Sequence, residues 1–82
     1  MGIEYARNTA TLSGLVGVEE AEGLLEWLQN HPKGRLDLAA CTHLHTANLQ
    51  VIMAAQAKIA AWPGDAELDA WLRAAVQSSR GE

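Results

Sequence analysis

The sequence is poor in cysteine and in basic residues, and each shortage excludes a class of protein. Cys41 is the only cysteine, so no internal disulfide framework can form, and a single thiol is typical of a reducing compartment. The 6 Lys and Arg residues are outnumbered by 10 Asp and Glu residues and lie scattered along the chain. The sequence therefore offers no basic patch for nucleic acid or for an anionic membrane surface.

Long apolar runs are also missing. No segment is apolar over the ~20 residues that a membrane-spanning helix needs, and residues 1–10 lack the basic start and apolar run of a signal peptide. We therefore expect a cytoplasmic protein with no membrane insertion. Its 82 residues suffice for one modest core, so we predict a single domain over residues 1–82, with a polar tail from about residue 77.

The first part of the chain alternates in polarity and then becomes helical. Residues 3–6 and 9–14 alternate around Arg7 and Asn8, which predicts either a hairpin or two short edge strands. Residues 18–31 have the spacing of an amphipathic helix, with glutamates near the start, where negative charge suits the helix dipole. The predicted apolar side of this helix consists of Leu24, Leu25, Trp27 and Leu28.

Residues 36–55 pass from strand to turn to helix and form the centre of the predicted fold. Residues 36–39 suit a buried central strand, and residues 42–49 contain a turn that leads into a helix over residues 47–56. Thr46 is predicted to cap this helix, because its hydroxyl can accept a hydrogen bond from a free N–H group of the first turn. The helix is apolar nearly all round, so we expect it to pack against the sheet.

The last part of the chain leaves one alternative open. Residues 57–62 could prolong the preceding helix, through the helix propensity of alanine, or form a short fourth strand. Asp65 then suits the cap of a last helix. The apolar stripe of that helix consists of Leu68, Trp71, Leu72, Ala75 and Val76.

Residues 45–49, which read HTANL, resemble the motif of the STAS domain, a family found in anti-sigma factor antagonists and at the cytoplasmic ends of sulfate transporters. In that family a strand and a loop lead to Asp-Ser/Thr-Ser/Ala-Gly-Leu, which opens a helix. His45 stands in the place of the Asp and Asn48 in the place of the Gly, while Thr46 and Leu49 keep the pattern. The resemblance covers residues 9–76 and is strong only over residues 36–55.

The resemblance implies a fold and decides the open segment. It implies an α/β domain with a mixed sheet of about four strands and about three helices mainly on one face. The order of elements would be β, β, α, β, α, β, α. Residues 59–61 then belong to the sheet, and residues 62–64 form the exit turn.

The resemblance also implies a function without catalysis. Anti-sigma factor antagonists bind protein partners and are phosphorylated by an anti-sigma factor kinase on the Ser or Thr that corresponds to Thr46. A helix N-terminus suits this chemistry, because free N–H groups and the helix dipole stabilise a phosphate. The alternatives are that Thr46 only caps the helix and that His45 is a solvated loop residue instead of a partner for the phosphate.

The predicted interaction surface combines the turn, the start of the following helix and one aromatic residue. Trp62 adjoins a Pro-Gly turn, where a half-exposed aromatic side chain can anchor a partner. Trp27 and Trp71 lie on apolar stripes and are predicted to be core. The candidate surface residues are Thr42, His43, His45, Thr46, Asn48, Leu49 and Trp62.

Cys41, His43 and His45 form a pattern that could hold a metal or a nucleophile. In an extended segment these alternate residues would point to the same side, as zinc ligands do. Three ligands without a fourth argue against a metal, and the lack of a carboxylate to orient a Cys-His pair argues against catalysis. We expect no metal, no cofactor and no enzymatic activity.

Three functions stand as hypotheses. The first is a STAS-like protein-interaction module in bacterial signalling or partner switching, controlled by phosphorylation of Thr46. The second is a cytoplasmic accessory subunit of a lipid-transporting ABC transporter, since small STAS proteins of that kind are similar in carrying Thr followed by Ala, as in Thr46 and Ala47. The third is a small metal-binding or catalytic protein that uses Cys41, His43 and His45. The sequence leaves the identity of the partner and the oligomeric state open.

Overall fold

The computed structural model describes the backbone of residues 2–80 and the side chains of residues 2–77. Its elements are β1 (Gly2–Tyr5), β2 (Thr9–Val16), a 3-10 helix (Val18–Glu20), α1 (Ala21–Asn30), β3 (Arg35–Leu44), α2 (Thr46–Ala55), β4 (Lys58–Ala61) and α3 (Ala66–Arg80). The strands form one sheet in the order β1-β2-β3-β4, in which β1 is antiparallel to β2 and the other pairs are parallel. The predicted α/β fold with a four-stranded mixed sheet is confirmed.

The hairpin of β1 and β2 sets which face of the sheet is buried. Ile3 lies opposite Leu12, and Tyr5 lies opposite Ala10. Directly opposed residues of an antiparallel pair point to the same face. Since Ala10 and Leu12 are fully buried, this is the face that the helices cover.

β3 has 10 residues and its neighbour β2 has 8, and their pairing shows where the extra residues lie. The register shifts once between Thr11 and Ser13 and again between Gly14 and Leu15. Each shift is a β-bulge in β3, which adds one residue to that strand and interrupts the alternation of its two faces. The buried residues of β3 are therefore Leu36, Leu38, Cys41 and Leu44.

Hydrogen bonds outside the ladder hold the first bulge of β3. The backbone N–H of Ala39 donates to the Asp37 carboxylate at 3.0 Å, and the backbone N–H of Gly64 donates to the Ala39 carbonyl at 3.3 Å. These two bonds replace the ladder pairing that a bulged residue gives up. The central strand was predicted over residues 36–39 only, and its continuation to Leu44 is a correction.

All three helices lie on one face of the sheet, as predicted, because α1 contacts α2 and α2 contacts α3. Among residues 2–80 no helix covers the opposite face, and Leu15 on β2 is 61% exposed there. The core between helices and sheet includes Ala10, Leu12, Val16, Leu24, Trp27, Leu28, Leu36, Leu38, Cys41, Leu44, Leu49, Ile52, Leu68, Leu72 and Val76. Within residues 2–80, no helix combines the length and the apolar character needed to cross a membrane.

Several predictions for the helices are corrected by the structure, and one for a strand is confirmed. Leu25 is 37% exposed and Trp71 is 39% exposed, so neither belongs to the core. Residues 58–61 form β4, which confirms a strand in the segment that was ambiguous. The helix α3 continues to Arg80, beyond residue 77, where a polar tail was predicted to begin. Residues 81–82 of that predicted tail lie outside the described residues.

Candidate functional site

A groove lies at the carboxyl edge of the parallel strands, where β3 passes into α2 and β4 passes into α3. We call it the edge groove, and its volume is about 530 Å³. Open α/β sheets commonly place their sites beyond the carboxyl ends of the strands, because helix N-termini converge there. Its lining comprises Thr42, His43, Leu44, His45 and Thr46 from one side and Asp65, Glu67, Leu68 and Trp71 from the other.

The cap of α2 is His45, and the prediction that Thr46 caps this helix is wrong. His45 has an extended backbone, with φ of −65° and ψ of 145°, and its Nδ1 atom accepts a hydrogen bond from the Ala47 N–H at 3.0 Å. The reason is the length of β3, which ends at Leu44 and leaves a single residue between strand and helix. That residue, His45, therefore occupies the capping position, although the hydroxyl of Thr46 would also be a suitable acceptor.

Thr46 is therefore the first residue of α2, and its side chain is exposed. Within the described residues its hydroxyl group makes no hydrogen bond. The free hydroxyl lies at the positive end of the helix dipole and faces the edge groove. This position leaves the oxygen accessible to a modifying enzyme.

Asn48 and Leu49 do not belong to the surface, which corrects their place among the predicted interaction residues. Asn48 is fully buried, and its Nδ2 group donates to the carbonyl of Gly17 at 2.8 Å and to that of Val16 at 3.4 Å. The first turn of α2 is thereby tied to the end of β2. The Oδ1 atom of Asn48 is buried and has no hydrogen-bond partner among the described residues. Leu49 is part of the core.

The start of α3 supplies the second side of the edge groove. Asp65 caps this helix as predicted, because its carboxylate accepts a hydrogen bond from the Leu68 N–H at 3.1 Å. Trp71 lies in the second turn of α3 and lines the groove with its exposed ring. Sequence reasoning missed this side, although the cap at Asp65 directly after a parallel strand would have placed it at the same sheet edge as Thr46.

Trp62 is half-buried, as predicted for a residue at a turn, but it does not line the edge groove. The guanidinium carbon of Arg73 lies 4.4 Å from the centre of its ring, in a cation–π contact. Arg73 also forms a salt bridge of 2.8 Å with Asp69, one turn earlier in α3. The exposed aromatic residue of the groove is Trp71 instead.

Cys41, His43 and His45 do not converge on a common point. The second bulge of β3 breaks the alternation between Cys41 and His43, so Cys41 faces the core while His43 is exposed. Burial raises the pKa of the Cys41 thiol, and the thiol donates a hydrogen bond of 3.5 Å to the backbone carbonyl of His43. In the described part of the chain, no cluster of three His, Cys, Asp or Glu side chains is arranged to hold a metal ion.

The ionisable groups that line the edge groove are two carboxylates and two imidazoles. Asp65 and Glu67 contribute carboxylates, and His43 and His45 contribute imidazoles. Among the described residues that line this groove there is no Lys or Arg. A new negative charge on Thr46 would therefore meet the positive helix end and the two imidazoles, but also two carboxylates across the groove. Comparisons of the chain with family models, with curated proteins and with solved structures found no match.

Proposed function

We propose that the protein is a STAS-type protein-interaction module, without enzymatic activity, that binds a protein partner at the edge groove in bacterial signalling or partner switching. Phosphorylation of Thr46 would release or weaken this partner. The proposal places the chain in the cytoplasm, where its single thiol would stay reduced. The observation that carries it is the exposed and uncommitted hydroxyl of Thr46 at the start of α2.

The hydroxyl of Thr46 is suited to a switch because it has no structural task. Its oxygen is not engaged in the cap of α2, because His45 accepts the hydrogen bond from the Ala47 N–H. A phosphate on Thr46 would be stabilised by the N-terminus of α2 and would leave the fold intact. It would add about 1.5 to 2 negative charges to a groove that already contains Asp65 and Glu67.

The rest of the groove suits a protein partner. Trp71 presents an exposed ring next to Leu68 and Leu44, and exposed aromatic residues surrounded by polar groups are typical anchors of interfaces. An enzymatic role for Cys41 has less support, because a buried thiol with a raised pKa is a weak nucleophile. A partner that fills the groove would contact Thr46 and Trp71 together.

The test is a pull-down from the native cell with four variants of the protein. Thr46→Asp should fold as well as wild type, as measured by circular dichroism. It should recover at least about tenfold less partner, because it adds a charge to the interface. Thr46→Val has the same shape without a charge and should retain the partner. Trp71→Ala should lose it, whereas Trp62→Ala, whose ring lies under Arg73 outside the groove, should not.

Two results would count against the proposal. If Thr46→Asp is folded and binds the partner with unchanged affinity, Thr46 is not part of the interface. If Trp62→Ala weakens binding and Trp71→Ala does not, the interface lies around Trp62, in the turn before α3, and not in the edge groove. Recovery of a transporter ATPase or permease in a Thr46-dependent manner would instead support the accessory-subunit hypothesis.

A further inference from the structure

The outer surface of α1 and α2 carries a second groove, which we call the helix groove. It has a volume of about 460 Å³ and runs between the two helices. Val18 is 56% exposed and Leu25 is 37% exposed, so apolar surface is open to solvent here. Its apolar lining consists of Val18, Ala21 and Leu25 on one side and Ala47, Val51 and Ala54 on the other.

The spacing of the lining residues is that of a surface on which helices pack. The lining positions are 18, 21, 22 and 25 on the first side and 47, 50, 51 and 54 on α2. Both series follow i, i+3, i+4 and i+7, which is one side of a helix. Because β2, β3 and β4 are parallel and a helix returns between each pair, α1 and α2 run in the same direction. The two ridges leave a channel about 10 Å long, or two helical turns, which fits one further helix.

The net negative charge of the chain arises in residues 19–26, of which Glu22 lines the helix groove, whereas Glu19 and Glu20 lie on a different surface with Gly2 and Gly14. Four of the 10 acidic residues are Glu19, Glu20, Glu22 and Glu26, and the remaining six equal the 6 basic residues in number, so these glutamates account for the net charge of −4. Neither α1 nor α2 contains a Lys or Arg residue. The region is therefore an apolar channel in a negative field.

Two of the glutamates are placed to meet a ligand in the channel. Glu22 lines the helix groove, and Glu26 lines the adjoining surface of α1 together with Leu25. Within the described residues, neither Glu22 nor Glu26 forms a salt bridge. Glu20 lies nearer to Tyr5, whose pKa it helps to raise after the larger effect of burial.

We propose that the helix groove is a docking site for a cationic amphipathic helix of a partner protein. Its apolar stripe would cover Leu25 and Val51, and its Lys or Arg residues would lie beside Glu22 and Glu26. This is the arrangement by which an amphipathic helix binds a hydrophobic groove, with apolar anchors for affinity and charges for orientation. The site is independent of the proposed role of Thr46, whose side chain lines the edge groove.

The negative charge near the helix groove favours a cationic helix over two other occupants, a second copy of the chain and an anionic membrane. A second copy of the chain would bring its own glutamates against Glu22 and Glu26, and like charges across an interface oppose association. An anionic membrane would be repelled by the same carboxylates. A cationic helix gains from both the apolar lining and the negative field.

The probe is a fluorescent peptide of about 15 residues, with Leu at i, i+3, i+4 and i+7, Lys at the flanking positions and Ala elsewhere. One control peptide has Glu in place of every Lys, and another has the same residues in an order without the apolar stripe. The Lys peptide should bind saturably, and both controls should bind about tenfold more weakly or worse. Amide chemical shifts of the labelled protein should change over residues 18–25 and 47–54.

Variants of the protein assign the binding to the helix groove. Val51→Glu should weaken the Lys peptide by about tenfold, because it places a carboxylate in the apolar channel. Glu22→Lys with Glu26→Lys should weaken the Lys peptide and favour the Glu peptide, and this effect should decrease with salt. The matched control, Glu4→Lys with Glu67→Lys, changes the net charge equally at other places and should leave the preference for the Lys peptide intact.

Three results would overturn this inference. The first is equal binding of the Lys and Glu peptides. The second is that the Lys peptide changes the amide chemical shifts of residues 42–46 in the edge groove. The third is a dimer in sedimentation that Val51→Glu dissociates. Thr46→Asp separates the two proposals, because it should retain the Lys peptide even where it loses the partner of the edge groove. Failure of one proposal therefore leaves the other standing.

Discussion

The two grooves of this protein differ in what holds their residues in place. In the edge groove the polar groups are fixed by backbone geometry, since His45 and Asp65 cap helices and Thr46 begins one. In the helix groove the residues are side chains on two helices whose positions depend on the core beneath them. A single added charge should therefore disturb binding at the edge groove without unfolding the chain. The helix groove should respond to changes in apolar area and in packing.

The largest expected effect separates the core from the helix groove at neighbouring leucines of α1. Leu24 is fully buried, and Leu24→Ala should lower the free energy of unfolding by about 2–5 kcal/mol. Leu25 is 37% exposed, and Leu25→Ala should lower it by less than about 1 kcal/mol while weakening the Lys peptide. Urea denaturation and peptide titration measure the two quantities. Similar losses of stability in both variants would show that the helix groove is part of the core.

A smaller effect is expected at Asn48, which joins α2 to the end of β2. Asn48→Ala leaves the carbonyls of Val16 and Gly17 without their donor and should cost about 1–3 kcal/mol. Asn48→Asp has nearly the same shape but replaces the donor by a buried carboxylate facing two carbonyls, so it should cost more than the alanine variant. Thermal unfolding at neutral pH compares them. If Asn48→Asp is the more stable variant, the two hydrogen bonds do not hold α2 in place.

The next prediction concerns the cap of α2 and sharpens the description of the edge groove. His45→Ala should cost about 0.5–2 kcal/mol, because it removes the acceptor for the Ala47 N–H group. His45→Asp and His45→Asn retain an acceptor and should preserve the stability. Thr46→Ala should change the stability by less than about 0.5 kcal/mol, since its hydroxyl makes no hydrogen bond within the described residues. The reverse order, with the larger loss at Thr46, would restore Thr46 as the cap.

The smallest effect is a dependence of stability on pH that arises from Cys41. Burial raises the pKa of this thiol, so the folded chain holds the proton more tightly than the unfolded chain does. The resulting stabilisation is complete below the ordinary thiol pKa of about 8.5 and is lost as the pH rises from there through the raised pKa of the folded state. Stability should therefore fall as the pH rises above about 8.5, and Cys41→Ala should reduce that slope. An unchanged slope between the two proteins would contradict it.

The sequence predicts the elements of this fold because their polarity patterns are regular. The hairpin, the amphipathic helices and the cap at Asp65 each depend on neighbours in the sequence, and the structure has all of them. The pattern of residues 57–62 leaves two alternatives open, because its alanines favour a continuation of α2 while the same residues can form a short fourth strand. The resemblance, and not the local residues, gave the correct answer there.

The sequence does not predict features that depend on partners far along the chain. The bulges of β3 arise from its pairing with β2. They add residues to the strand, which ends at Leu44, so that His45 and not the predicted Thr46 caps α2. Likewise, the apolar stripes place Leu25 and Trp71 near the core side of their helices. They do not show how far the neighbouring helix or strand extends over each residue, so the exposure of these two side chains is not predicted. Both exposed residues lie at the edges of those stripes, and each lines one of the two grooves.

The bulges of β3 also determine where this chain can lose a residue. Deletions are usually tolerated in surface loops, since a missing residue inside a strand turns every later side chain to the other face. In β3 the extra residues are Ala39 and Thr42. Ala39 lies opposite Leu12, and Thr42 lies between the residues that pair with Gly14 and Leu15. Removal of Ala39 would remove the first bulge and removal of Thr42 the second, and in either case Cys41 and Leu44 would stay in the core. Removal of Asp37 would turn Leu38 outward. Related chains that differ in length are thus expected to show their gaps in the middle of this central strand.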